Sequence, residues 1–192
     1  MTSWNQLLRD QFEWHWEHQV RSRLAGLSDE EYFWEPVAGA WSVRPRGTAT
    51  TPMAAGAGDF TIDWAFPEPA PAPFTTIAWR LGHVIVGVLA IRNAAHFDRA
   101  EVSYSSFPWA GTAAGALAQL DAELGCWLEG VRGLGEAGLS RPCGPAEGGF
   151  ADAPLAALVL HIHRELIHHL AEVSLLRDLY ASDLVRKRES TG

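Results

Sequence analysis

At 192 residues, with 47% hydrophobic and 20% charged side chains, the chain is long enough to bury the core of one domain. Its formal charge of −8 excludes nucleic acid or an anionic membrane as the main partner, since both demand a basic face. Two cysteines, Cys126 and Cys143, lack CxxC spacing, which excludes a disulfide framework and suits a reducing compartment.

In chain order, Ser3 caps a first helix that runs to about Leu24. Trp4, Leu7, Leu8, Gln11, His15 and His18 lie along one stripe of it, so its inward face turns polar halfway and His15 and His18 become candidates to line a cavity. Ser28-Asp29-Glu30-Glu31 has the form of a capping box, with Ser28 as cap and Glu31 reaching back, and opens a short turn that Pro36 ends. Residues 44–75 hold more than half of the eleven prolines and exclude a long helix. Within them Phe60 to Phe66 alternates strictly between apolar and polar, the pattern of a strand with one buried face. Trp41 to Arg44 alternates as well, so a short β-ribbon is expected.

Thr75 or Thr76 caps a second long helix to about Phe97, with Ile77, Leu81, Val84, Ile85, Val88 and Ile91 at helical spacing. Its apolar run from Ile77 to Ile91 is interrupted by Arg80 and His83 and is too short to span a bilayer. With no basic-then-apolar leader, the protein is expected to be soluble and cytoplasmic. Thr112 caps a third helix carrying Leu117, Leu120, Leu124, Trp127, Leu128 and Val131, and Gly133 to Gly149 is expected to be a loop. The fourth helix is expected from about Ala153, with Asp152 as cap, to Val185. Residues 186–192, with Arg186-Lys187-Arg188, form an expected solvated, disordered tail. These elements describe a single all-α domain over 1–192, an up-and-down four-helix bundle with a Pro-rich excursion after the first helix. The aromatic stretch Tyr104 to Trp109 and the Phe60–Phe66 strand could wall a pocket, form a homodimer contact or simply cluster over the bundle.

The densest chemistry lies in His161 to Glu172, which holds four histidines and two glutamates in twelve residues. On a helix, His161, Glu165 and His169 stack at i, i+4 and i+8, with His168 and Glu172 beside them and His163 pointing away. Polar groups beside this much apolar surface need partners, because leaving them bare costs about 1–3 kcal/mol each. A divalent cation is one partner, and a metal-free polar network is the alternative. Glu165 with His169, His161 with Glu165 and His168 with Glu172 all have the i, i+4 spacing of helical metal motifs, and spacing does not rank them. A third ligand has to come from another helix, and His83, within Leu81-Gly82-His83-Val84-Ile85, is the best placed.

The helix His161-x-x-Arg164-Glu165-x-x-His168-His169-x-Ala171-Glu172 resembles the last helix of the DinB-like family of four-helix bundles, close to its DinB_2 branch. Leu27-Ser28-Asp29-Glu30-Glu31, Trp34-x-Pro36 and Gly39-Ala40-Trp41-Ser42-Val43 resemble the family's segment after its first helix, and Trp79-Arg80-Leu81-Gly82-His83 its second helix. The resemblance implies a divalent metal held by His83, Glu165 and His169, with His161, His168 and Glu172 as orienting or alternative ligands. Many relatives carry histidine where this chain has Glu165; a carboxylate is an acceptable ligand there for Zn, Ni or Mn. The resemblance also implies a metal-dependent enzyme, such as a hydrolase or a thiol-dependent S-transferase or isomerase that uses a low-molecular-weight thiol on an electrophilic small molecule. The alternative is a non-catalytic bundle that binds a metal or small ligand.

Overall fold

The computed structural model describes residues 3–191, with side chains through Val185. The chain is mostly helical, with a small three-stranded antiparallel sheet. Helix α1 spans Trp4–His15 and continues through a π-helical turn at Trp16–Val20 into Arg21–Leu24. Ser3 caps it, its hydroxyl accepting the amide of Gln6. The buried stripe is Phe12, Trp16, Val20 and Leu24, whereas Trp4, Leu7 and His18 are exposed. This displaces the stripe expected from α-helical spacing, and for a physical reason. A step of four residues overshoots an α-helical turn by about 40°, and the wider winding of the π-turn takes up that drift.

Helix α2 is the short turn Asp29–Tyr32, and the hydroxyl of Ser28 accepts the Glu31 amide as expected. Glu31 does not reach back to close a capping box. Its buried carboxylate receives Arg177 instead, at 2.7 and 3.1 Å, tying this turn to the last helix.

The Pro-rich excursion folds into strands β1 (Val43–Pro45), β2 (Met53–Ala55) and β3 (Phe60–Trp64), in the order β1-β3-β2. The expected ribbon is present, with Val43 opposite Ile62. The third strand, Met53–Ala55, was not foreseen, because its small residues carry no alternation. Both faces of β3 are covered, not one: Ile62 packs on the helical core, and Asp63 is fully buried on the other side. Asp63 accepts the Ser42 amide at 2.9 Å and Arg44 Nε at 2.8 Å, which satisfies its charge. Two indoles pin the sheet to the helical body, Trp79 Nε1 donating to the Asp63 carbonyl and Trp109 Nε1 to that of Ala55.

Helix α3 runs through Ile77–Gly82, a π-helical stretch His83–Ala90 and Ile91–His96, capped by Thr76. Residues 77–96 are long and apolar enough to cross a membrane, but 67% of the most apolar window is buried inside the protein, which makes α3 its core helix. Helix α4 (Ala113–Leu139) is capped by Thr112 and buries Leu120, Leu124, Trp127 and Val131. It continues past Gly133, where a loop was expected, and kinks at Gly135, whose positive φ of 57° a glycine adopts without strain.

A 3₁₀ turn at Pro145–Phe150 leads to helix α5 (Leu155–Thr191), which starts two residues beyond Ala153. The side chains of Arg186, Lys187 and Arg188 lie outside the described residues. Along α5 the residues Leu155, Leu158, Val159, Ile162, Leu166, Leu170 and Val173 face the core. Fully burying each such aliphatic side chain is worth about 1.5–3 kcal/mol. Arg80 meets Glu172 and His83 meets His169, so α3 and α5 run antiparallel and share one polar seam.

Candidate metal centre

The seam is built from both helices. On α3, His83 opens the π-helical stretch, its ring stacked on Trp79 (centroids 5.6 Å apart, 10° between planes) and edge-on to His169 at 4.7 Å. Its Nδ1 lies 3.0 Å from the Tyr104 hydroxyl. Gly87 makes that approach possible, since a Cβ there would fall 2.4 Å from the hydroxyl and 3.0 Å from Nδ1. Burial, with His169 and Arg80 close by, lowers the His83 pKa to about 4 against the pull of Glu165 and Glu172. The imidazole is therefore neutral at pH 7. If its Nδ1–H donates to Tyr104, the lone pair sits on Nε2.

On α5, His169 is nearly buried, with Nδ1 2.7 Å from Glu172 Oε2 and Nε2 3.6 Å from Glu165 Oε2. Arg80 Nη1 also approaches Nδ1, at 3.4 Å. The carboxylate contact is much shorter, so Nδ1–H donates to Glu172, and Nε2 faces Glu165. Both histidines thus have Nδ1 anchored by a neighbouring side chain, the arrangement that orients metal-binding imidazoles. Burial pushes the Glu165 carboxyl up, but the Arg164 hydrogen bond and nearby His161 and His169 outweigh it and hold its pKa below the ordinary value.

Among the described residues, His168, His169 and Glu172 offer ligand atoms that all lie within 4.8 Å of one another. The structure therefore groups His169 most tightly with its own helix, and His83 and Glu165 flank that group. His168 and His161 are the outer members, with side chains 63% and 43% exposed, His168 3.6 Å from Glu172 and His161 3.5 Å from Glu165. His163 points away, as its position on the helix requires, and is buried against Phe12. His18 is exposed and stacked on Trp14, and His15 is half-buried on the same helix; neither joins the seam or the cavity beside it.

Arg80 is the member that spacing arguments missed. Its Nε lies 3.1 Å from Glu172 Oε2 but off the N–H direction, its Nη2 donates to Thr75, and its guanidinium covers the Trp79 ring at 5.4 Å. The one signal for it was a charge inside an otherwise apolar helix. Tyr104 was foreseen only as part of an aromatic wall, and it does pack between Trp64 and Trp109.

The residues present fit a divalent ion: among the described residues, imidazoles and carboxylates, with His168, His169 and Glu172 grouped most closely, supply nitrogen and oxygen donors suited to a first-row metal, and Arg80 pairs with Glu172. Neither a curated protein nor a solved structure matches this chain. The family model of the DinB superfamily, DinB_2, matches residues 11–173, a span that contains α3, the sheet and every seam residue named above. The chain belongs to the DinB superfamily.

Proposed function

We propose that this protein is a divalent-metal-dependent enzyme, a one-domain, up-and-down four-helix bundle of the DinB type working in the cytoplasm on a small electrophilic molecule. His83, His169 and Glu165 would hold the ion. Tyr104 orients the first imidazole and Glu172 the second. Zn, Ni or Mn suits this donor set, and the ion would lower the pKa of a coordinated thiol or water. A low-molecular-weight thiol is the co-substrate that such an ion would suit, in an S-transfer or isomerisation. The observation that carries the reading is the pairing of two perpendicular imidazoles 4.7 Å apart, each anchored through Nδ1, beside Glu165.

The outer set of His168, His169 and Glu172 is the weaker alternative for the ion. Glu172 already carries Arg80, and His168 is mostly open to water. Metal analysis of protein purified without added ions, followed by melting curves with Zn²⁺, Ni²⁺ and Mn²⁺, tests the reading. Bound metal and a raised Tm are expected in the parent and absent in His83→Ala. If His83→Ala keeps the full ion-linked Tm gain, the outer set is the ligand set.

A second reading has its own support in Arg80, which places a built-in cation against Glu172 and His169. On that reading the seam is a metal-free network and the bundle only binds or scaffolds. His169→Leu would then be neutral or stabilising, as replacing a polar network with apolar volume often is. Metal-dependent turnover of thiol and electrophile, lost in His83→Ala, would exclude it.

A further inference from the structure

The groove between α3 and α5 does not end at the histidines. One turn of α5 before Glu165, His161 lies 3.5 Å from that carboxylate and also lines a cavity of about 630 Å³. That volume is within the range of small-ligand pockets. Its walls are largely apolar, formed by Ala157 and Leu158 of α5 and by Phe150, an aromatic side chain 76% exposed at the cavity edge. Charge enters it from Arg92 of α3, from Glu147 and from Arg164 of α5, the last already hydrogen-bonded to His161 and Glu165.

Arg92 is short of acceptors. Its Nη1 donates to the Gly87 carbonyl at 2.9 Å, its Nη2 reaches Glu147 only at 3.5 Å, and its Nε is buried with no partner. Glu147 is engaged elsewhere, its other oxygen lying 3.0 Å from His96 Nε2, a contact that straps the Pro145–Phe150 turn against α3. A guanidinium offers five donors in a planar fork that matches a carboxylate, and buried donors without acceptors call for an explanation.

We propose that this cavity binds a small, mainly apolar molecule carrying a single carboxylate, received by Arg92, with the apolar body against Ala157, Leu158 and Phe150. Glu147 sits beside the Arg92 guanidinium and opposes a second negative charge there, and Arg164 is already taken by His161 and Glu165. The position of the cavity one helical turn from Glu165 makes it the site of the organic substrate. That role rests on the enzyme reading above; the binding itself does not.

Calorimetry on the full-length protein with 3-phenylpropionate, its amide and 2-phenylethyl phosphate reads the proposal directly. The carboxylate binds at least roughly tenfold tighter than the amide, since hydrogen bonds to a charged group are the strong ones, and the phosphate binds no tighter than the carboxylate. Arg92→Met removes the preference for acid over amide. Ala157→Trp, on an exposed wall, abolishes binding of both while leaving the Zn²⁺-linked Tm shift intact. No binding of either compound, equal affinity for acid and amide, tighter phosphate binding, or carboxylate binding that survives Ala157→Trp overturns the assignment. Carboxylate binding that behaves as expected in a protein with no ion-linked Tm shift supports the cavity site and removes the metal reading alone.

Discussion

Replacing His163 with leucine should make the protein less sensitive to acid. The imidazole is wedged beneath α1, stacked on Phe12 with centroids 4.8 Å apart and edge-on to Trp127 at 6.4 Å, and only 6% of the residue is exposed. Its Nε2 is buried with no partner. Burial lowers its pKa from 6.5 to about 4, offset in part by a hydrogen bond with the Leu8 backbone. The unfolded chain therefore binds this proton as pH falls below 6.5, while the folded protein refuses it until about pH 4. Stability is highest above 6.5 and declines through that window. The whole window is worth about 3 kcal/mol, of which about 2 kcal/mol is gone by pH 5.

Leucine removes the titration and the orphaned nitrogen together. His83 has the same acid window and remains, so the variant keeps part of the slope. Urea unfolding of parent and variant at pH 5, 6 and 7, in chelator to silence the seam, measures the difference at constant m. The variant should gain about 2 kcal/mol on the parent between pH 7 and pH 5. Parallel pH profiles would refute the reasoning, because they would mean that His163 takes up its proton equally well folded and unfolded.

Gly87→Ala, a change that ordinarily adds stability in a helix, should instead cost about 1–2 kcal/mol, because the new methyl collides with the Tyr104 hydroxyl. A raised Tm would show that the hydroxyl moves aside freely. Tyr104→Phe should weaken Zn²⁺ affinity roughly tenfold in a chelator-dye competition, beyond the about 1–3 kcal/mol it costs the metal-free protein by leaving His83 Nδ1 bare; unchanged affinity would mean that His83 is oriented without it. Asp63→Asn leaves Arg44 without its buried charge partner and should cost about 3 kcal/mol in urea unfolding, and a loss under about 1 kcal/mol would show that Glu35 alone satisfies Arg44.

The helices were legible because capping and periodicity are local. Ser3, Thr76 and Thr112 each cap where a polar residue precedes an apolar run. What misled was winding. The π-helical turn at Trp16–Val20 shifts the inward face of α1 to Phe12, Trp16 and Val20, and no 3.6-residue template anticipates that. The histidine seam was legible in the same way, from i, i+4 spacing on α5. Its closest partners were not, because Arg80, Tyr104 and Gly87 join it through contacts between separate segments. Glu31 shows the same limit: its local capping role looks complete in sequence, yet an arginine 146 residues away claims the carboxylate.

The charge balance of the seam separates its two readings. A charge buried in an apolar helix is costly unless paired, and Arg80 meets that demand with Glu172. Glu165 has only weaker partners, with His161, Arg164 and His169 at 3.3–3.6 Å. Arg164, its cationic neighbour at 3.3 Å, has a side chain 70% exposed, so water and salt weaken that attraction. Burial keeps His83 neutral and so denies Glu165 a second cation. Glu165 thus lacks a close, buried guanidinium of its own such as Glu172 has in Arg80, and it lies 3.6 Å from His169 on the side of the seam that His83 shares. That weakly paired carboxylate beside two imidazoles is what favours the proposed ion over a network that serves packing alone, because a divalent cation would supply the closer positive charge.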